Sequence, residues 1–183
     1  QLGTDAVDSS VAPVVPEELG AAKALSVGQG FGCAALLDGT VKCWGDNSSY
    51  RLGRVAPDRS ANALTVEDVS GAVALASGTA HTCAALLDGT VKCWGENAFG
   101  QLGAGNATVA LAPITVAGVV GATALAAAGE RSCALLANGT VKCWGRGAAS
   151  VAPSAVQGLQ DVTALTLSRS EEHTSELQSH HPI

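Results

Sequence analysis

Six cysteines are the residues best placed for chemistry, and their spacing says what kind. They fall at Cys33 and Cys43, Cys83 and Cys93, and Cys133 and Cys143: each pair is ten residues apart and each repeats at an offset of fifty. None is left over. An even set at fixed spacing suggests one disulfide per unit and an oxidising compartment. Buried free thiols in a reducing compartment are the alternative. Zinc fails on ligand count, because each unit offers two thiols and only the second adds a histidine, His81. The other histidines, His173, His180 and His181, crowd into the last fifteen residues. Catalysis needs at least a nucleophile–base pair or a metal cluster. No phosphate-cradling Gly-Lys-Ser/Thr loop and no recurring carboxylate pair is present. Asp38 and Asp88 stand before glycine as turn residues. No catalytic, metal or cofactor residue is assigned, no cofactor is expected, and the chain is not expected to be an enzyme.

The cysteines sit inside a larger repetition. Cys33 to Gly45 recurs unchanged as Cys83 to Gly95, and recurs as Cys133 to Gly145 with Leu135, Ala137 and Asn138 as its changes. A fixed period near fifty residues means an array, in which one supersecondary unit cannot bury its own face alone. The repeats divide the chain into 21–70, 71–120 and a short third unit, 121–160. Residues 1–20 match the back part of a preceding unit, since Gln1-Leu2-Gly3 equals Gln101-Leu102-Gly103. Residues 161–168 start a further unit, where Ala164-Leu165 matches Ala124-Leu125. From Arg169 the apolar alternation stops. Arg169 to Ser179 resembles a translated sequencing adapter, so 169–183 is expected to be an artefactual, disordered tail, outside any fold argument.

Each unit carries a hairpin signal, an Asp-Gly or Asn-Gly pair between apolar stretches: Asp38-Gly39, Asp88-Gly89 and Asn138-Gly139. A two-residue loop would pair 34 with 43 and put Cys33 and Cys43 on opposite faces. A three-residue loop, Leu37 to Gly39, with Gly39 left-handed, pairs 33 with 43 and sets the sulfurs opposite each other. The spacing predicts that register. Ahead of each hairpin lies a short apolar stretch around Leu25, Leu75 or Leu125. Its alanines leave helix open, but its length and flanking glycines favour an inner strand near a common axis. A further stretch such as Ile114-Thr115-Val116 makes about four strands per unit, the blade of a β-propeller. Trp44, Trp94 and Trp144 recur strictly and are expected to pack on the neighbouring unit rather than stack a ligand. Lys42, Lys92 and Lys142 also recur; their stems are expected over apolar surface with the ammonium groups in water.

Composition narrows the partner. The chain has 10 Lys and Arg against 16 Asp and Glu, a net charge of −6. With no basic stripe, nucleic acid is not expected as a partner. No apolar run is long enough to span a bilayer. Three sequons occur, at Asn47, Asn106 and Asn138. They matter only in a eukaryotic secretory route, and Asn138 is already explained by its turn.

Gly78-Thr-Ala-His81, Leu86-Leu-Asp-Gly-Thr-Val and Cys93-Trp-Gly-Glu-Asn-Ala-Phe-Gly-Gln-Leu-Gly103 together resemble the regulator of chromosome condensation repeat. The resemblance covers essentially all of 1–168. The cysteine-paired, alanine-rich form is most similar to secreted or surface proteins of bacteria with GC-rich genomes. It implies an all-β fold: a propeller of four-stranded blades, seven in the whole ring, of which this chain is an arc of about three and a half. Such an arc cannot close, so the isolated chain is expected to associate through open edges. The first unit departs from the motif at Tyr50, and the third loses it after Gly145 and is ten residues shorter. Phe31 and Arg131 stand at the histidine position of the first and third units.

The functions found in the family diverge, from nucleotide exchange on a small nuclear GTPase to inhibition of β-lactamases, and none transfers residue by residue. The leading expectation is a non-catalytic scaffold for protein–protein interaction, contacted through variable rim loops. An exchange-factor-like regulator is the alternative; the cysteine pairs argue against its nuclear or cytosolic home. An enzyme is a further alternative, for which the usual catalytic residue types are missing. Candidate partner-binding residues are Gln29, Phe31, Thr79, His81, Glu130 and Arg131. The cysteine pairing and the resemblance together suggest an extracellular, periplasmic or cell-surface location.

Overall fold

A computed structural model describes residues 16, 18–104, 108–159 and 161–168. The expectations for residues 1–15 and 169–183 lie outside the described residues.

The glycine at each hairpin tip sets the architecture. Gly39, Gly89 and Gly139 have φ of 85°, 79° and 78°, a region an L side chain adopts only at a cost. Each lets a three-residue loop close, with the Leu36 N–H donating to Thr40 O and the Gly39 N–H to Leu36 O, both at 2.9 Å. The strands leaving the loop, β2 (Phe31–Leu36) and β3 (Val41–Asp46), therefore pair Cys33 with Cys43. The same register sets Cys83 against Cys93 between β6 (His81–Leu86) and β7 (Val91–Glu96), and Cys133 against Cys143 between β10 (Arg131–Leu136) and β11 (Val141–Gly145). All three pairs are disulfides. The aspartates work as turn residues. Asp38 accepts from the Thr40 N–H at 2.9 Å and its hydroxyl at 2.7 Å, and these bonds hold its carboxyl below the usual range.

Each hairpin gains a strand on either side. The inner strands are β1 (Ala22–Gly28), β5 (Ala72–Ser77) and β9 (Ala122–Ala128); the outer ones are β4 (Arg59–Thr65), β8 (Val109–Thr115) and the two-residue β12 (Ser154–Ala155). Three four-stranded antiparallel sheets result, each ordered as a meander. Leu25, Leu75 and Leu125 lie in strands, as expected. The short β12 follows from the ten residues the third unit lacks. The sheets stack face to face, with inner strand beside inner strand. A blade buried on both faces needs small side chains, and Ala34, Ala35, Ala84, Ala85 and Ala134 are all fully buried. This is a propeller arc of about three blades.

The tryptophans stitch the blades. Trp94 reaches into the first blade beside Leu52, Val66 and Val69, and its indole N–H donates to Arg51 O at 3.0 Å. Trp144 does the same one unit on, beside Leu102, Val116 and Val119, donating to Gln101 O at 2.8 Å. The recurring lysines do more than the sequence suggests. At the exposed surface, Lys92 donates to Asp68 O at 2.5 Å and Lys142 to Gly118 O at 2.6 Å; Lys42 bonds Glu18 O. The three acceptors share a left-handed φ, which turns the carbonyl outward toward the next blade. Beyond β12, Asp161 stands against Gly139 as Gly71 stands against Gly39 and Gly121 against Gly89. Residues 162–168 carry no strand assignment, and Val162, Leu165 and Leu167 pack on the face holding Cys133 and Cys143.

Candidate functional site: the loop rim

An up-and-down blade has two rims. The hairpin tips form one. The β1–β2, β5–β6 and β9–β10 turns form the other, joined farther out by the β3–β4 and β7–β8 connections. The inner turns of this loop rim are tied blade to blade by their backbones. The Gln29 N–H donates to Thr79 O at 3.1 Å, and the Thr79 N–H to Gly129 O at 2.8 Å. The candidate residues of three different repeats are thereby gathered on one rim.

Their side chains then divide. Gln29 is exposed, and Thr79, Glu130 and Arg131 are half-buried. Phe31 and His81 are interior, 2 % and 0 % exposed. The reason is parity: Phe31 lies two residues before Cys33 in β2 and so shares its face, which packs on the second blade. His81 takes the same place between the second and third blades. Burial lowers the Arg131 guanidinium from its ordinary value. The farther loops are held by local bonds. Arg51 donates to Gln29 O at 2.8 Å and pairs with Asp46 at 3.2 Å.

His81 closes a buried relay. Ser132 donates its hydroxyl to Gln101 O at 2.9 Å, so it accepts from His81 Nε2 at 2.8 Å. Nδ1 then carries the bare lone pair, and it has no partner among the described residues. The ring fits because residue 78 is glycine: a Cβ there would lie 2.2 Å from His81 Cε1 and 2.5 Å from Gly129 O. His81 and Ser132 are in hydrogen-bond contact, but both are sealed between blades, and the serine proton is committed to a carbonyl.

Burial drops the His81 pKa from 6.5 to about 4. A buried neutral histidine contributes its full stability above the unfolded value and loses it as pH falls from 6.5 toward 4, because the unfolded chain takes the proton first. The shift corresponds to roughly 3 kcal/mol. Acid titration followed by tryptophan fluorescence is expected to show this loss, and His81→Phe, which copies Phe31 of the first blade, to remove it. A His81→Phe variant with the same acid profile would contradict the assignment.

Two features of this rim were not read from sequence. Asn47 and Asn97 organise the outer loops: Asn47 Oδ1 accepts from the Leu52 N–H at 3.0 Å, and Asn97 Oδ1 from the Leu102 N–H at 2.9 Å. Asn47 Nδ2 donates to Arg54 O and Pro57 O. That explains the asparagine of the repeat motif and why its loss, at Gly147, accompanies a shortened loop. The second feature is the pair Phe99 and Arg146, whose guanidinium carbon lies 3.6 Å from the ring centroid. Among the described residues, no group of His, Cys, Asp and Glu is arranged to hold a metal ion, and no helix is long and apolar enough to cross a membrane.

Comparison with known proteins agrees with the fold. Sequence profiles of the Regulator of chromosome condensation (RCC1) repeat match residues 22–51 and 72–101, and a second profile of that repeat matches 88–136. No curated protein sequence matches. Among solved structures, human WBSCR16 superposes with a TM-score of 0.73 at 18 % identity, over 83 % of this chain and 44 % of that one. Yeast RCC1 (Prp20), solved with Kap60 bound, gives 0.67 at 20 % identity, over 78 % of this chain and 38 % of that one. Prp20p from Saccharomyces cerevisiae, in a study of its binding to Gsp1p and histones, gives 0.68 at 19 % identity, over 78 % and 40 %. The chain spans less than half the length of each. With its blades, its Trp-Gly elements and these profile matches in agreement, the chain belongs to the regulator of chromosome condensation repeat family.

Proposed function

We infer that this chain is part of a non-catalytic protein-binding propeller that meets its partner through the loop rim. One observation carries the reading: the backbone bonds from Gln29 to Thr79 and from Thr79 to Gly129 gather the residues that vary between repeats onto one rigid edge. The residues the repeats share are used elsewhere. Cysteines staple hairpins, tryptophans and lysines join blades, and glycines form turns. His81, the histidine best placed for catalysis, is interior. The rim residues that remain for contact are Gln29, Thr79, Glu130 and Arg131, with Phe31 and His81 supporting them from beneath. Three disulfides support an oxidising setting, extracellular, periplasmic or at the cell surface.

The test uses the protein and a partner captured by it. Alanine at Gln29, Thr79, Glu130 and Arg131 together is expected to weaken binding by about tenfold or more, since a few anchors dominate an interface. Alanine at the hairpin tips Leu37 and Leu87 is expected to leave it unchanged. The reverse pattern would move the interface to the other rim.

A further inference from the structure

Arg146 breaks the repeat at one position. The residue after the Trp-Gly pair is Asp46 in the first blade and Glu96 in the second, but Arg146 in the third. The sign of the charge reverses there. The side chain is also held in place. It lies on the ring of Phe99, which the second blade sends across, and its Nε is 3.4 Å from Glu130 Oε2. Its backbone N–H donates to Glu130 O at 2.9 Å. Stacking and an ion pair remove rotamer freedom that a lone arginine would lose on binding. Even so, the Arg146 side chain is 59 % exposed and Phe99 40 %. Glu130 engages the Nε edge; among the described residues, no other acceptor is bonded to the fork.

The distribution of cations is a second, independent observation. Arg51, Arg54, Arg59, Arg131 and Arg146 all lie at the loop rim, in or beside the turns that form it, among Asp46, Asp58, Glu96 and Glu130; Arg51 and Arg54 bond loop carbonyls there, and Arg51 pairs with Asp46. Lys42, Lys92 and Lys142 lie in the hairpin half, with their ammonium groups tied to carbonyls. Protein interfaces are enriched in arginine and aromatic residues and depleted in lysine. A planar guanidinium fixed on an aromatic ring presents parallel N–H donors that match a carboxylate. Glu130 beside it favours a monoanionic carboxylate over a dianionic phosphate at this guanidinium.

We propose that Arg146, stacked on Phe99, anchors a carboxylate of an acidic protein segment that docks on the loop rim. This rests on the rim-binding reading and names its partner's chemistry.

The experiment is fluorescence anisotropy on the full chain with a labelled glutamate-rich peptide, beside phosphoserine and lysine versions of the same peptide. Binding of the glutamate peptide is expected to fall about thirtyfold in Arg146→Glu, as for an interface anchor. Arg146→Lys, which keeps the charge but not the fork, is expected to lose most of that binding, and Phe99→Ala part of it. Lys23→Glu, on the opposite half, is expected to bind like the parent chain, and matched thermal unfolding of Arg146→Glu shows that the fold is intact. Unchanged binding in Arg146→Glu, preference for the phosphoserine peptide, or no binding of the glutamate peptide would each overturn the anchor. The rim reading stands or falls separately, on the four-alanine variant and the captured partner.

Discussion

Removing the three disulfides is expected to unfold the chain at neutral pH. Each closes a loop between residues ten apart. On the chain-entropy estimate each contributes about 2–3 kcal/mol. The three together approach the whole stability of a small domain, roughly 5–15 kcal/mol. The effect is large here because a single repeat has little else of its own. Its sheet is buried mainly by alanine and cysteine, and its large side chains serve the seams between blades. The cysteines are at most 2 % exposed, so reductant must wait for a blade to open. A reduced, alkylated chain is expected to lose its strand signal in circular dichroism, and Cys83→Ala with Cys93→Ala to lower the urea midpoint. A reduced chain with an unchanged midpoint would show that the bridges are incidental.

Trp144→Ala is the single substitution with the largest expected cost, about 3–5 kcal/mol, from lost burial and the cavity left behind. Trp144 is fully buried, packs on Leu102, Val116 and Val119, and its indole N–H shares the Gln101 carbonyl with the Ser132 hydroxyl. Trp94→Ala is expected to cost nearly as much. Trp44→Ala should cost least, because Trp44 is 8 % exposed and, among the described residues, lies in a smaller cluster with Leu19, Ala34, Leu36 and Ala63. Urea titrations of the three variants give the order. A result in which Trp44 is the costliest would mean that the tryptophans stabilise their own blades rather than the seams.

Much of the fold was legible because two constraints agreed at each hairpin. An Asn-Gly or Asp-Gly pair fixes a turn, and cysteines ten apart face each other in only one of the two candidate registers. The strict recurrence of tryptophan likewise pointed to the seams. The rim was half legible. Repeat arithmetic placed Gln29, Thr79 and Glu130 in equivalent turns, and the structure joins those turns. It did not warn that Phe31 and His81 point inward, though the signal was present: each lies two residues before a buried cysteine, on the same face of the same strand. The lysine clamps were not legible at all. Lys92 meets a carbonyl 24 residues upstream, in another blade, and only the left-handed turn at Asp68 presents it. The stack of Phe99 on Arg146 joins two repeats in the same way, so no reading of one repeat contains it.

Stacking about a common axis is what turns three separate repeats into one rim, and the Thr79 amide reports it directly. Thr79 lies in a turn, and its N–H bonds across the seam to Gly129 O at 2.8 Å. Native-state hydrogen exchange is expected to show this amide protected like the strand amides of β6, and the Gln29 amide with it. Exchange of both at the rate of unprotected loop amides would contradict the stacked arc, and with it the gathered rim.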